Sequence, residues 1–444
     1  MTAREVALAV VRDVFPATPG TPERGAQEAL DYRTRKAGLD PRDRAFATEL
    51  AYGSIKMRRT LDWYLTPFLG DRATTLPAVI AEVLRLAIYE LVFTRADEHA
   101  TVFEFVNLAK KHGHKGLVGL TNAVLRSFLR DRPTEPAPDD FEDLDDYLAV
   151  AYSLPTWIVR QWRATFPDKV AEICASVNDP AQAAVTVNTL RATVAGVEET
   201  FAAAGVTVAR SPYVETTLIV SDAAYARAGE REAAGAWFSQ SESSAMPVAI
   251  LNPQPLEQVL DVASGRGNKA IQIGARMEAE GTLLCIERDE RKAEVLKNRL
   301  AEAGVAAGIV IGDAATDLLE PGQRFDRVLV DAPCSGLGIL GRHPEARWRK
   351  RPDDGARLAE TQSAILERQS AHVHEGGTLV YAVCTTDPRE GSEVVGAFLR
   401  THDFTRGLIP ASLEPFLTGE GDVLVPPGID GRDGFFIARL ERRT

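Results

Sequence analysis

At 444 residues the chain is too long for one ordinary domain, and the length predicts about two or three. With 45% hydrophobic and 26% charged residues it can bury a large core, and no apolar run is long enough to span a membrane as a helix. The 51 Lys and Arg against 63 Asp and Glu give a net charge of −12, which excludes a uniformly basic nucleic-acid binder but leaves room for local patches.

Residues 1–132 read as an all-α domain. "REVALAVVRDVF", "RDRAFATELAYGSIKMRRTLDWYL", "LPAVIAEVLRLAIYELVF" and "LVGLTNAVLRSFLR" carry apolar residues at three- and four-residue spacing. Asp40-Pro41 supplies an N-cap followed by a first-turn proline. Residues 133–147, acidic and proline-rich, read as a linker. From 148 to 240 strand-like and helical runs alternate, which predicts a small α+β module.

Residues 241–444 read as an α/β, Rossmann-like sheet. "QVLDVAS", "GTLLCIE", "AGIVIGD", "RFDRVLVDA" and "GTLVYAV" are the near-continuous apolar runs of buried parallel strands, with helices between the early ones. "DVLVPPG" and "GFFIARLERR" predict an antiparallel pair closing that sheet.

Small residues mark the end of the first of these strands. In "DVASGRGNKA", Gly265, Gly267 and Ala270 fit G-x-G-x-x-A, a tight turn that lets backbone approach a ligand at a helix N-terminus. Glu287 ends the next strand, about 20 residues after Gly267, where a carboxylate would meet ribose hydroxyls. Asp261, Glu287, Asp313 and Asp331 lie at four successive strand ends and predict the rim of an adenosine site. The bland alternative is a tight strand-to-helix turn with no ligand, its acids serving as caps. NAD and S-adenosylmethionine sheets both use such a loop.

Four cysteines, Cys174, Cys285, Cys334 and Cys384, lack C-x-x-C spacing, which argues against a zinc site and a disulfide framework. The charged N-terminus "MTAREVALAVVRDVF" does not read as a signal peptide. A reduced, cytoplasmic protein without membrane or metal is expected. Cys174 and Cys285 read as buried small hydrophobes, whereas Cys334 and Cys384 end the fourth and fifth strands in turn-forming loops. Cytosine C5 is too poor a nucleophile to take a methyl group unaided. A thiolate adding at C6 makes C5 enamine-like, and release then needs a base. Asp331, just before Pro333 and Cys334, stands where it could bond the cytosine edge. Spacing alone does not say which cysteine attacks.

"DAPCSGLGILGRHPEARW" and "GGTLVYAVCTTDPREGSEVV" resemble the two cysteine motifs of the Sun-type RNA cytosine-C5 methyltransferases. "WFSQSESSAMPVAILNPQP" and "DGFFIARL" also match that pattern, and "LAYGSIKMRRTLDWYL" with "VNLAKKHG" is similar to the family's NusB-like RNA-binding domain. The resemblance covers nearly the whole chain. It implies S-adenosylmethionine as cofactor and RNA, from 16S ribosomal RNA, as partner of a monomeric enzyme; transfer RNA or 23S ribosomal RNA is the alternative substrate. It implies Cys384 as nucleophile, Cys334 in product release, and Asp331 contacting both cytosine and cofactor. Ala263, Ser264, Gly265, Arg266, Gly267, Asn268 and Lys269, with Glu287 and Asp313, would hold the cofactor. The loop departs from the family's C-A-A-P-G-G-K: Arg266 replaces proline and Asn268 replaces glycine.

The segment "GRHPEARWRKR", residues 341–351, interleaves cations with Trp348 and predicts phosphate contacts plus base stacking, against the plainer reading of a solvated basic face. Two other functions remain for the chain as a whole. An NAD-dependent oxidoreductase would explain the glycine loop but not the cysteines. A non-catalytic RNA-binding assembly factor would not need Cys384 or the ordered acids.

Overall fold

A computed structural model describes residues 1–18, 20–222, 224–226, 229 and 235–444. The chain divides into two compact units, Met1–Arg163 with Arg342–Arg349, and Ala164–Gly341 with Lys350–Thr444.

The first unit is helical, with helices that include Ala3–Val14, Pro41–Lys56, Arg58–Leu69, Ala78–Phe93 and Lys115–Asp131. Their apolar stripes place Val6, Val10, Leu50, Leu61, Ile80, Leu84, Phe105 and Leu125 in one core. Asp40 caps its helix as expected, accepting from the Asp43 N–H at 2.8 Å, with Pro41 in the first turn. The run containing Met57 is two helices rather than one. Past the break the Arg59 N–H turns to the Ser153 hydroxyl at 2.9 Å, and its guanidinium reaches the Leu154 carbonyl at 2.8 Å. The segment 133–147 is packed: Phe141 stacks on Trp63 at 5.1 Å, and helix Leu144–Ala151 begins within it.

Three residues of the basic stretch 341–351, Arg347, Trp348 and Arg349, serve this same helical unit, which corrects their reading as phosphate and stacking contacts. Arg347 is fully buried and donates to the Ser153 carbonyl at 3.1 Å. The Trp348 indole donates to the Ile55 carbonyl at 2.7 Å. Arg349 donates to the carbonyls of Val14 and Arg24 at 2.7 and 2.6 Å and pairs with Glu23 at 2.8 Å. Val14 ends one helix and Ile55 lies in the last turn of another, where carbonyls lack helical partners. Cationic and indole donors suit those negative helix ends as well as they suit phosphates.

In the second unit, after helix Val170–Ser176, comes a small antiparallel sheet of β1 (Ala184–Val187), β2 (Val208–Arg210), β3 (Thr217–Val220) and β4 (Trp237–Ser239), in the order β2-β3-β1-β4. The larger sheet contains β5 (Gln258–Val262), β6 (Thr282–Glu287), β7 (Gly308–Ile311), β8 (Phe325–Asp331), β9 (Val373–Val383), β10 (Phe404–Arg406), β11 (Val423–Val425) and β12 (Phe435–Arg442). Its order is β10-β12-β9-β8-β5-β6-β7, with β11 also paired to β12. Strands β5 to β9 pair in parallel, and β12 runs antiparallel to β9, β10 and β11. That is the expected Rossmann-like sheet with antiparallel closure. Val328–Val330 and Leu379–Val383 are buried throughout, which is why those strands read as unbroken apolar runs. The chain leaves β5 toward β6 on one side, while β8 flanks it on the other. The carboxyl ends of β5 and β8 therefore frame the switch point, where sheets of this kind bind ligands.

Among the described residues, no helix is long and apolar enough to cross a membrane.

Candidate active site

The turn from β5 into helix Asn268–Arg276 holds Ala263, Gly265 and Gly267 at φ of 59°, 60° and 91°. At Gly267 a Cβ would lie 2.6 Å from Leu296 Cδ1 and displace that side chain, and the positive φ itself favours glycine. Ala263 takes the left-handed region without being glycine, a strain of about 1 kcal/mol that the surrounding loop must hold. The Gly265 N–H donates to Glu287 Oε2 at 2.8 Å, and the Asp289 N–H donates to Oε1 at 2.8 Å. Glu287 thus braces the glycine loop from the end of β6.

The two unusual loop residues are accommodated from outside the loop. Asn268 donates to the Ser239 carbonyl at 2.9 Å and accepts from Arg299, which also donates to the Arg266 carbonyl at 3.0 Å. The Arg266 side chain is exposed. Ser264 spends its hydroxyl on the Asp261 carbonyl at 2.9 Å. Lys269 turns inward, its Nζ 2.6 Å from Asp331 Oδ2 and 3.3 Å from Ser244 Oγ. Burial opposes the charge on Lys269, but Asp331 and Asp261 outweigh it and hold its pKa above the ordinary lysine value. Asp313 stands apart, capping its own turn through the Ala315 N–H at 3.0 Å and lying 3.7 Å from Arg288.

Asp331 of β8 lies beside Ala382 of β9, so two adjacent parallel strands release their following loops at the same edge. This brings Cys334 Sγ to 3.1 Å from Cys384 Sγ. Both thiols are free and half-buried, while Cys174 and Cys285 are buried. Hydrogen bonding to Cys384, then burial, pushes the Cys334 thiol well above the ordinary cysteine range. The two cysteine loops are joined again by Ser335 Oγ to Thr385 Oγ1 at 3.0 Å and by the Gly338 N–H to the Cys384 carbonyl at 3.1 Å.

Beneath the loop, Asp261 is fully buried and neither of its carboxylate oxygens has a hydrogen-bond partner. Burial pushes its pKa up to about 7. Left-handed backbone at a helix N-terminus, flanked by the Glu287 and Asp331 carboxylates, suits hydroxyls and a cationic centre better than a diphosphate, which the carboxylates would repel. Sequence reasoning missed Ser244, which meets Lys269, and Gln362 and Glu390, which bond the Pro333 carbonyl and the Ser335 N–H on either side of Cys334. Glu390 lies in the turn after Cys384, and nothing local distinguishes it from a solvated loop acid.

Three family models match in chain order: NusB over residues 1–130, a ferredoxin-like domain of RsmF/B-like methyltransferases over 154–226, and 16S rRNA methyltransferase RsmB/F over 248–441. The ribosomal RNA small subunit methyltransferase B of Thermus thermophilus is 34% identical over 99% of this chain and 98% of its own. A "Probable ribosomal RNA small subunit methyltransferase B" of Bacillus subtilis is 34% identical over 91% of this chain and 92% of its own. The crystal structure of PH0851 superposes with a TM-score of 0.82 at 23% identity, covering 100% of this chain and 99% of that one, and so shares its fold. With its paired cysteine loops and glycine turn on a Rossmann-like sheet, the chain belongs to the RsmB/F family of methyltransferases.

Proposed function

We propose that the chain methylates C5 of a cytosine in 16S ribosomal RNA, with S-adenosylmethionine as donor, through a covalent adduct between Cys384 and cytosine C6. The observation that carries this reading is the pair of free thiols 3.1 Å apart at the carboxyl edge of the sheet, after the first and second strands beyond the one that ends in the glycine turn. The substrate follows from the relatives, which are named as small-subunit ribosomal RNA methyltransferases. The chain is inferred to act as a cytoplasmic monomer, where thiols stay reduced, with residues 1–132 docking RNA.

Ala263–Lys269, Glu287 and Asp313 would hold S-adenosylmethionine, which supplies an electrophilic methyl group. The chain's own residues do the rest. The Cys384 thiolate adds to C6, and C5 becomes a carbon nucleophile that takes the methyl group. The C5 proton then passes to a base and the C6–S bond breaks, restoring the aromatic ring and the thiolate. Cys334, its sulfur 3.1 Å from that of Cys384, is placed for the release step, in which its deprotonated form takes the C5 proton. Asp331, held by Lys269, is directed to the cytosine edge.

RNA carrying 5-fluorocytosine tests the reading, because fluorine at C5 cannot leave as a proton. A stable one-to-one covalent complex, dependent on S-adenosylmethionine, is expected. No complex with that RNA and no 5-methylcytosine in ordinary RNA would leave an RNA-binding assembly factor instead.

A further inference from the structure

We propose that Glu390 is a positioning residue of the two-cysteine centre, its carboxylate tying the loop that carries Cys334 to the loop that carries Cys384. This deepens the reading above and rests on it for the role of the thiols. Glu390 is fully buried, in the turn Asp387–Gly391 that follows Cys384. Its Oε2 accepts from the Ser335 N–H at 2.8 Å, immediately beside Cys334. The same oxygen accepts from Gln362 Nε2 at 2.9 Å, and that amide also donates to the Pro333 carbonyl at 2.9 Å. Pro333 and Ser335 flank Cys334, so one side of that cysteine is fixed by Glu390 directly and the other by the amide that Glu390 holds. On the other side, the Glu390 carbonyl accepts from the Tyr381 hydroxyl at 2.6 Å, which anchors the turn to β9.

A carboxylate is an expensive group to bury, and Glu390 Oε1 has no hydrogen-bond partner. Burial accordingly raises its pKa above the ordinary glutamate range. Packing alone would be better served by leucine or methionine. What a polar oxygen adds over those apolar side chains is an acceptor able to take two donors, placed between loops whose thiols must meet. Glu390 touches neither sulfur in these contacts, so it acts through Ser335, Gln362 and the turn.

The test reads the thiol pair without RNA. A trivalent arsenical such as phenylarsine oxide bridges two close thiols: two As–S bonds form, the two thiol protons leave with the arsenical oxygen as one water, and no oxidant is needed. The full-length parent chain is expected to capture one arsenical, and Cys384→Ala none. Folded Glu390→Ala should capture at least tenfold more slowly, and its kcat should fall at least tenfold with KM for RNA and cofactor within threefold. Glu390→Gln, whose amide oxygen can still accept both donors, should stay within threefold of the parent on both measures. Gln362→Ala, which removes the shared donor, should also slow capture at least threefold, and serves as the readout where Glu390→Ala does not fold. Parental capture rates in folded Glu390→Ala, or in Gln362→Ala, would overturn the proposal. A parent that captures the arsenical yet makes no 5-methylcytosine would overturn the functional reading and leave the role of Glu390 in spacing the thiols standing.

Discussion

Lys269 Nζ lies 2.6 Å from Asp331 Oδ2, joining the helix that opens at the glycine turn to the strand that delivers the Pro-Cys loop. The lysine is nearly buried, so its partner cannot be removed cheaply. Lys269→Met leaves Asp331 without its cation and is expected to lower stability by about 2–4 kcal/mol and abolish methylation. The double variant Lys269→Met/Asp331→Leu should regain most of that stability and remain inactive, because an apolar pair can replace an ion pair in packing but not in directing cytosine. Urea unfolding of the parent, the single and the double variants measures this. Unchanged stability in Lys269→Met would show that the pair is solvated and contributes little.

The segment Arg342–Arg349 leads to an expectation opposite to that of a phosphate grip. Trp348→Ala removes a half-buried indole and its bond to the Ile55 carbonyl, and should cost about 2–4 kcal/mol of stability. Arg349→Gln should leave the salt dependence of RNA affinity unaltered, since that guanidinium is held by the Val14 and Arg24 carbonyls. Filter binding across a salt series decides. A slope lower by about one unit in Arg349→Gln would mean that this side chain neutralises a phosphate after all.

Much of the site was legible because the sheet imposes it. Strands buried on both faces must read as unbroken apolar runs, so the ends of β5, β6, β8 and β9 could be located by eye, together with the acids and cysteines that follow them. The closeness of Cys334 and Cys384 then follows from β8 and β9 being neighbours. The basic segment misled because cations interleaved with an aromatic look the same whether they face phosphates or helix C-terminal carbonyls. The break at Met57 was hidden for a related reason, since the Ser153 hydroxyl that captures the Arg59 N–H comes from a distant part of the chain. Strand β10 has only three residues, too few for a period of two to show. Glu390 gave no signal because its meaning depends on Ser335 and Gln362, which only the fold brings to it.

Asp261 sets a pH dependence with a definite sign. Its carboxyl ionises near its ordinary value in the unfolded chain and at about 7 in the folded one. Below about pH 4 it is protonated in both states. Between about pH 4 and 7 the unfolded chain releases the proton and the folded chain keeps it, so stability falls as pH rises through that window and levels off above it. Asp261→Asn, neutral throughout, should gain about 2–4 kcal/mol relative to the parent between pH 4 and 7.5. Urea unfolding at several pH values gives the difference directly. A difference that stays constant across the window would mean that the buried carboxyl is ionised and stabilised in the folded chain.

The two cysteines are separated by what each variant leaves attached to RNA. Cys384→Ala lacks the sulfur assigned to C6, so it should form no covalent complex and no 5-methylcytosine. Cys334→Ala keeps that sulfur and loses the group assigned to release. It should add to C6 and complete the methyl transfer, then stall with RNA bound through Cys384. On a denaturing gel, Cys334→Ala with ordinary, unfluorinated RNA should run as a shifted band, whereas Cys384→Ala should not. The 3.1 Å spacing makes the contrast sharp, because a base held against this edge of the sheet lies within reach of either sulfur. A shifted band in Cys384→Ala alone would reverse the roles. Full activity in both variants would remove the covalent mechanism, since the other described cysteines, Cys174 and Cys285, are buried.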